Sequence, residues 1–265
     1  MLSSVAETYR RWCCQTEAGL ALFQFRFAFA AIWLCYDLAD LVFRGTASIL
    51  WVFPAKAWPL AGLQLLLIAT QSLVLIGVKP RLACLLCFVL RLTEAEFFYS
   101  LNDFYYYAIV MLILSQVSIA GPNSPTRSWP RHILIAQLAW IYFATALLKL
   151  NPEWLSGGHL FVRQSYLDFV QHWPYPALYR TCCINLRAGA LLARAGVTGE
   201  LLMVFLLATR RWPRCTILLA ISLHLFAALA LNVWFFGASM VAQVAFLLWP
   251  RPGTCGFGGN SPSGE

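Results

Sequence analysis

Lys149 closes a long apolar run and is followed at once by a loop carrying a tryptophan and two glycines, in the stretch IYFATALLKLNPEWLSGGHL from Ile141 to Leu160. No other lysine lies between Arg81 and the C-terminus. An amine at that place either snorkels to a membrane interface or is held in a polar pocket for chemistry. Relieved of its proton, it is a general base. Other ionisable groups interrupt the apolar runs: Arg26, Arg91, Glu94, Glu96, Glu200 and His224. Asn232 follows the histidine on the same helical face. Charges are expensive in hydrocarbon, so each of these needs a reason.

Plain structural reasons exist for all of them. Arg91 and Glu94 stand at i and i+3 and can neutralise each other. Arg26 is near enough to the inner interface to snorkel. Glu200 and His224 can form a hydrogen-bonded pair that fixes two adjacent helices. Yet Arg26, Lys149, Glu200 and His224 stand on four different apolar runs. If they converge, the group exceeds what packing requires. Glu94, Asn102, Asp103, Lys149 and Asn232 all fall in the outer half of the predicted topology. The expectation is one cavity open to the extracytoplasmic side and capped by Trp154, Gly157 and Gly158. Lost hydration there disfavours a charged lysine, and a shielded carboxylate nearby pulls the other way.

The elements that must position these residues are membrane helices. The chain is 60% hydrophobic and 11% charged. Soluble domains run near a quarter charged, so too few charges are present to coat a water-facing surface. The apolar runs have the roughly 18–25 residues that cross a bilayer. Eight spans are predicted, in an all-α polytopic bundle. They are Gly19–Val42, Trp58–Gly77, Leu82–Tyr99, Phe104–Ala120, His132–Leu150, Ala190–Thr209 and two within Cys215–Trp249, a run too long for one crossing and broken at Asn232 and Gly237. The transmembrane domain is thus 19–250, between a cytoplasmic segment 1–18 and a disordered Gly- and Ser-rich tail 251–265. Arg10, Arg11, Lys79, Arg81, Arg127, Arg131, Arg210, Arg211, Arg214 and Arg251 fall on one side, against Arg44, Lys56 and the residues of one long loop, Asn151 to Gly189, on the other. Both termini are therefore predicted cytoplasmic. The net charge of +8 is this pattern and not a nucleic-acid surface.

The first apolar run is too long for a signal-peptide core and reads as a span. Phe161 to Trp173 alternates aromatics with Arg163, Asp168 and His172, the pattern of an interfacial amphipathic helix in the long outer loop. Nine cysteines are scattered, and Cys84 and Cys87 form C-x-x-C inside an apolar helix with no second pair or histidine to complete a zinc set. A loop disulfide through Cys182 or Cys183 stays open. Haem ligation by His224 with His132 or His159 is disfavoured by their unlike depths. Walker, Rossmann, zincin and nucleophile-elbow motifs do not occur. The internal repeat of many transporters is missing as well.

Several of these residues together resemble the HTTM (horizontally transferred transmembrane) family, which includes vitamin K-dependent gamma-glutamyl carboxylase. Tyr142-Phe143, then Lys149-Leu150, Trp154 and Gly157 look like the family's Y-F…K-L…W…G stretch. Asn102 and Asp103 match an Asn-His pair. Glu200, and His224 with Asn232, look like the acidic and H…N positions of bacterial members. Arg26 in F-R-F resembles the arginine of the first span. The likeness runs from about Gly19 to Trp249.

The resemblance implies Lys149, Asn102, Asp103 and His224 as catalytic groups. It puts Arg26, Tyr142, Trp154, Glu200 and Asn232 around a reduced naphthoquinone of the vitamin K or menaquinone type. In the carboxylase, the lysine deprotonates the quinol. Reaction with oxygen then gives an epoxide and a strong base. That base takes a proton from a glutamate side chain, and carbon dioxide adds to the carbanion. An apolar cavity with one amine suits such chemistry, because excluded water protects the base. Two departures stand out. Asp103 replaces a histidine, and a carboxylate donates a hydrogen bond only when protonated. The carboxylase's large lumenal region, which engages a propeptide, has no counterpart in the sixteen residues after Trp249. The expected substrate is therefore small or peptidic, or presented by a partner protein. Two other readings compete: a non-catalytic accessory protein for maturation or export of a secreted peptide, and a transporter whose buried charges mark an ion path.

Overall fold

The computed structural model describes residues 16–18, 20–39, 41, 54–97, 102–117, 125–127, 129–158, 186–231 and 234–248. Within these the chain is helical apart from one short pair of strands. The long helices are α1 (Leu20–Ala39), α2 (Pro54–Ile76), α3 (Pro80–Phe97), α4 (Asn102–Ser115), α5 (Trp129–Lys149), α7 (Leu186–Thr209), α8 (Pro213–Leu231) and α9 (Trp234–Leu248), and α6 (Pro152–Leu155) is one turn. Each long helix occupies one of the predicted apolar windows. Proline opens α2, α3, α6 and α8. Its fixed φ and missing N–H suit the first helical position, where that donor has no intrahelical partner. The turn between α2 and α3 is closed by Gly77 at φ 76°, with Val78 N donating to Leu73 O at 3.1 Å. This left-handed cap needs glycine, which has no Cβ to clash.

One expectation is corrected here. Gly237 does not mark the break between the last two helices but lies inside α9. A Cβ there would sit 3.2 Å from His224 Cβ, so the glycine lets α9 pack closely on α8. The sequence reading also missed a small pairing. Strand β1 (Thr16–Ala18) runs antiparallel to β2 (Pro125–Arg127), joining the segments that precede α1 and α5. The predicted interfacial helix Phe161–Trp173, Arg44, Cys182, Cys183, His159 and Asn232, and the segments 1–15 and 249–265, lie outside the described residues.

The helix pairings close on themselves: α1 with α2, α2 with α3, α3 with α4, α4 with α5, α5 with α7, α7 with α8, α8 with α9, and α9 back on α1. An aromatic seam fills the middle of one half. Phe29 stacks on Tyr107 with centroids 5.5 Å apart, and Trp33 meets the same ring edge-on at 4.8 Å. The outside is apolar. Leu148, Ile76, Leu191, Trp140 and Leu218 are each between 65% and 76% exposed. Such a surface fits hydrocarbon and not water. Helices α1, α5 and α7 are long and apolar enough to cross a membrane, and the apolar parts of α2, α4, α8 and α9 are shorter.

At one end of the bundle, the basic residues that set the predicted orientation also bind helix termini. Arg81 Nε donates to Ser115 O at 3.1 Å, and Arg131 Nε to Leu247 O at 2.7 Å. These carbonyls at the ends of α4 and α9 have no intrahelical donor left, and a cation there also opposes the helix dipole. Arg131→Ala is expected to lower stability by about 1.5 kcal/mol, the net worth of a charged hydrogen bond. A thermal melt in detergent that matches wild type would show that the contact contributes nothing.

Arg91 and Glu94 do pair, at 2.5 Å, but they are not self-contained. Asp37 of α1 also binds Arg91, at 2.6 Å, and accepts from Gln71 Nε2 of α2 at 2.7 Å. The guanidinium lies 4.8–5.0 Å from the rings of Trp33, Phe104 and Tyr107. The network therefore ties α1, α2, α3 and α4 together.

Candidate functional site

The last residue of α5 is Lys149, and the chain turns there within two residues. Asn151 makes the turn. Its Oδ1 accepts from Trp154 N at 2.8 Å, capping α6, and its Nδ2 donates back to Leu148 O at 2.8 Å. Sequence reasoning did not single out Asn151, although Asn-Pro is the signature of an N-cap followed by a proline at the first helical position. The double clamp swings Trp154 back over the lysine, with Nζ 5.2 Å from the ring centroid. That geometry is a cation–π contact.

Gly157 ends this turn at φ 81°, pressed against the start of α7. A Cβ at Gly157 would lie 2.6 Å from Gly189 C and 2.7 Å from Ala190 N. Both obstacles are backbone, so no side-chain movement relieves them. Gly158 is less restricted, with its nearest neighbour, Glu153 O, at 3.3 Å. Gly157→Ala is therefore expected to destabilise by more than about 2 kcal/mol, and Gly158→Ala by less than about 1 kcal/mol. Equal melting temperatures for the two variants would contradict this close approach.

Lys149 Nζ donates to Glu200 Oε1 of α7, joining α5 to α7. The two side chains are 27% and 14% exposed. Glu200 Oε2 is buried and has no hydrogen-bond partner among the described residues. A buried carboxylate oxygen without a donor is costly, and a ligand hydroxyl or water can satisfy it. Two turns earlier on α5, the Tyr142 hydroxyl is hydrogen-bonded to His224 Nε2 of α8 at 2.7 Å. The other face of that imidazole rests on Gly237, with Phe236 edge-on to the ring. Between these groups lies a half-open cavity of about 80 Å³. Tyr142, Lys149, Glu200 and His224 are its polar lining, and Leu192, Ala193, Gly196, Leu223, Phe226, Ala227 and Trp154 complete it.

The structure thus gathers Lys149, Glu200, Tyr142, His224 and Trp154 around one space. Glu200 and His224 do not pair with each other; each has a partner on α5. Arg26 stands elsewhere. It is 2% exposed on α1, 5.2 Å from the Phe23 ring and facing the Gly77 turn. Asp103 stands in the first turn of α4 and does not line this cavity, and the side chain of Asn102 lies outside the described residues. Glu94 belongs to the Arg91 network. Among the described residues, Glu94 and Lys149 therefore belong to separate polar centres and do not share the one cavity expected from sequence. Gly157 and Gly158 hold the cap without lining the space.

No protein-family model, curated protein or solved structure matches this chain. By themselves, the fold and the site define a helical protein with membrane-length apolar helices and a lysine–glutamate pair at a half-open apolar cavity.

Proposed function

We propose that this chain is an eight-span integral membrane enzyme in which Lys149 is the base that activates a lipid-soluble quinol. The coupled reaction would be oxygen-dependent epoxidation with modification, carboxylation in the first instance, of a small or peptidic substrate. The observation that carries this is the Lys149–Glu200 pair in an apolar cavity, with Glu200 Oε2 left without a donor. The resemblance of the Lys149 stretch to the HTTM family supports the quinol. Orientation is supported by the basic end of the bundle, where Arg81, Arg131 and Arg210 lie together through their contacts with Ser115, Leu247 and His132. Lys149 ends α5 at the opposite end; in this reading the cavity faces the extracytoplasmic side and both termini are cytoplasmic.

The donor set suits a reduced naphthoquinone: one amine, one free carboxylate oxygen, an indole and apolar walls. The cavity takes the hydroxyl edge of such a ring system, with the remainder in its open side. A bound quinol supplies an acidic O–H and two electrons. For Lys149 to act as the base its amine must be free of its proton, and Glu200 Oε1, in contact with Nζ, is the neighbouring acceptor. The amine then accepts the ligand's proton, and Glu200 Oε2 orients the hydroxyl. Trp154 lies over the amine and shields that side of it from water.

The test is oxygen-dependent epoxidation of reduced menaquinone or vitamin K by purified wild type and Lys149→Ala. Epoxide from wild type alone supports the base assignment. Equal epoxide from both proteins refutes it. A folded wild type that makes none favours the accessory role in peptide maturation.

A further inference from the structure

We infer that the ligand of this cavity is a single-chain amphiphile admitted from the bilayer between α7 and α8, and that Gly196 sets the width of the passage. This rests on reading the Lys149 cavity as a ligand site, and not on quinol chemistry.

Size comes first. An enclosed apolar cavity of ~150 Å³ accepts one benzene ring. The space here is about 80 Å³ and open on one side. It holds a head group, and whatever is attached must leave through the opening. The opening is assigned to the seam between α7 and α8 from the space at two glycines. At Gly199 a Cβ would lie 2.8 Å from Leu223 Cδ2, so α7 and α8 touch there. At Gly196, one turn away on the same face, a Cβ would meet nothing within 4 Å. The two helices therefore touch at Gly199, while Gly196 lines the cavity and has free space over it. Leu192 of α7 and Phe226 and Ala227 of α8 line the same space. Leu191 and Leu225, next in sequence to Leu192 and Phe226, are 67% and 51% exposed and give α7 and α8 an apolar outer surface suited to lipid.

The floor and the outer side give the rest of the chemistry. Lys149 and the unsatisfied Glu200 Oε2 receive a polar head that can donate a hydrogen bond. Trp154 lies across Nζ, its ring centroid 5.2 Å away, and covers one side of the amine. An apolar chain in the gap buries hydrocarbon against hydrocarbon and leaves the head on the pair. A methyl group at 196 meets no heavy atom within 4 Å and projects into the passage.

The chain has three lysines, Lys56, Lys79 and Lys149, so acylation can be read site by site by mass spectrometry. In proteoliposomes, the N-hydroxysuccinimide ester of dodecanoic acid is supplied from the bilayer. A sulfonated acetyl ester is supplied from water. Lys79 is the reference in both. Gly196→Leu is expected to slow dodecanoylation of Lys149 about ten-fold while leaving acetylation by the sulfonated ester within about two-fold of wild type. Gly196→Ala, whose added methyl has free space, is expected to fold as wild type and slow dodecanoylation by a smaller factor. It carries the test if the leucine variant does not fold. Loss of both reactions alike, loss of neither, or a wild-type Lys149 that the dodecanoyl ester cannot reach while Lys79 reacts, overturns the passage. The readout needs no turnover, so failure of the epoxidation assay leaves it intact.

Discussion

Lys149→Ala is expected to abolish turnover, by about a hundred- to ten-thousand-fold, the range general-base catalysis contributes. Stability should fall much less. Removing the ammonium leaves Glu200 as a largely buried carboxylate without its partner. Breaking a fully buried pair costs about 3–5 kcal/mol, but the lysine side chain is 27% exposed and water screens the site in part, so about 2 kcal/mol is expected. The two effects can be separated. Lys149→Met combined with Glu200→Met removes both charges and keeps apolar volume. It should recover most of the stability and none of the activity. Melting in detergent and the epoxidation assay measure the two quantities on the same samples. A double variant that recovers activity along with stability would show that the pair is only a strut between α5 and α7.

The largest stability effect is expected away from that site, for Arg91→Ala. Arg91 is fully buried, binds Asp37 and Glu94 at 2.6 and 2.5 Å, and lies among three aromatic rings. Alanine leaves two carboxylates facing each other in a dry interior. The expected loss is about 3–5 kcal/mol from the broken charge network, with about 2 kcal/mol more from the lost cation–π contacts. That is enough to prevent recovery of folded protein. Arg91→Lys keeps the charge but has no planar fork to serve two carboxylates, and should fall between alanine and wild type. Adding Asp37→Asn and Glu94→Gln to the alanine variant removes the repulsion and should restore part of the loss. Detergent-extracted yield and melting temperature check the series. An Arg91→Ala protein that melts like wild type would mean the network does not hold the four helices together.

Local signals were legible. Runs of apolar residues placed all eight long helices, because hydrophobic length is a property of a continuous segment. Proline at the first turn set where several of them begin. Lys149 and Trp154 stood out because a cap and a loop act within one turn of chain. Asn151 belonged to the same class and its Asn-Pro signal was readable. Partnership between helices was not. Asp37 gave no reason to be matched with Arg91, and Glu200 was matched with His224 when its partner is Lys149. Which residues meet depends on how far each helix is rotated about its own axis and which helix stands beside it. A one-residue change in facing turns a side chain by about 100°. That rotation is chosen by the packing of whole surfaces, such as Gly237 under His224 and Gly157 against Gly189. Composition and spacing therefore determined that the chain forms apolar helices with a lysine at one end of α5. Only the tertiary structure decided that Lys149, Glu200, Tyr142 and His224 share one cavity while Arg26, Asp103 and Glu94 stand apart from it. Contact across helices is set by their mutual rotation, and no local pattern along a single helix encodes it.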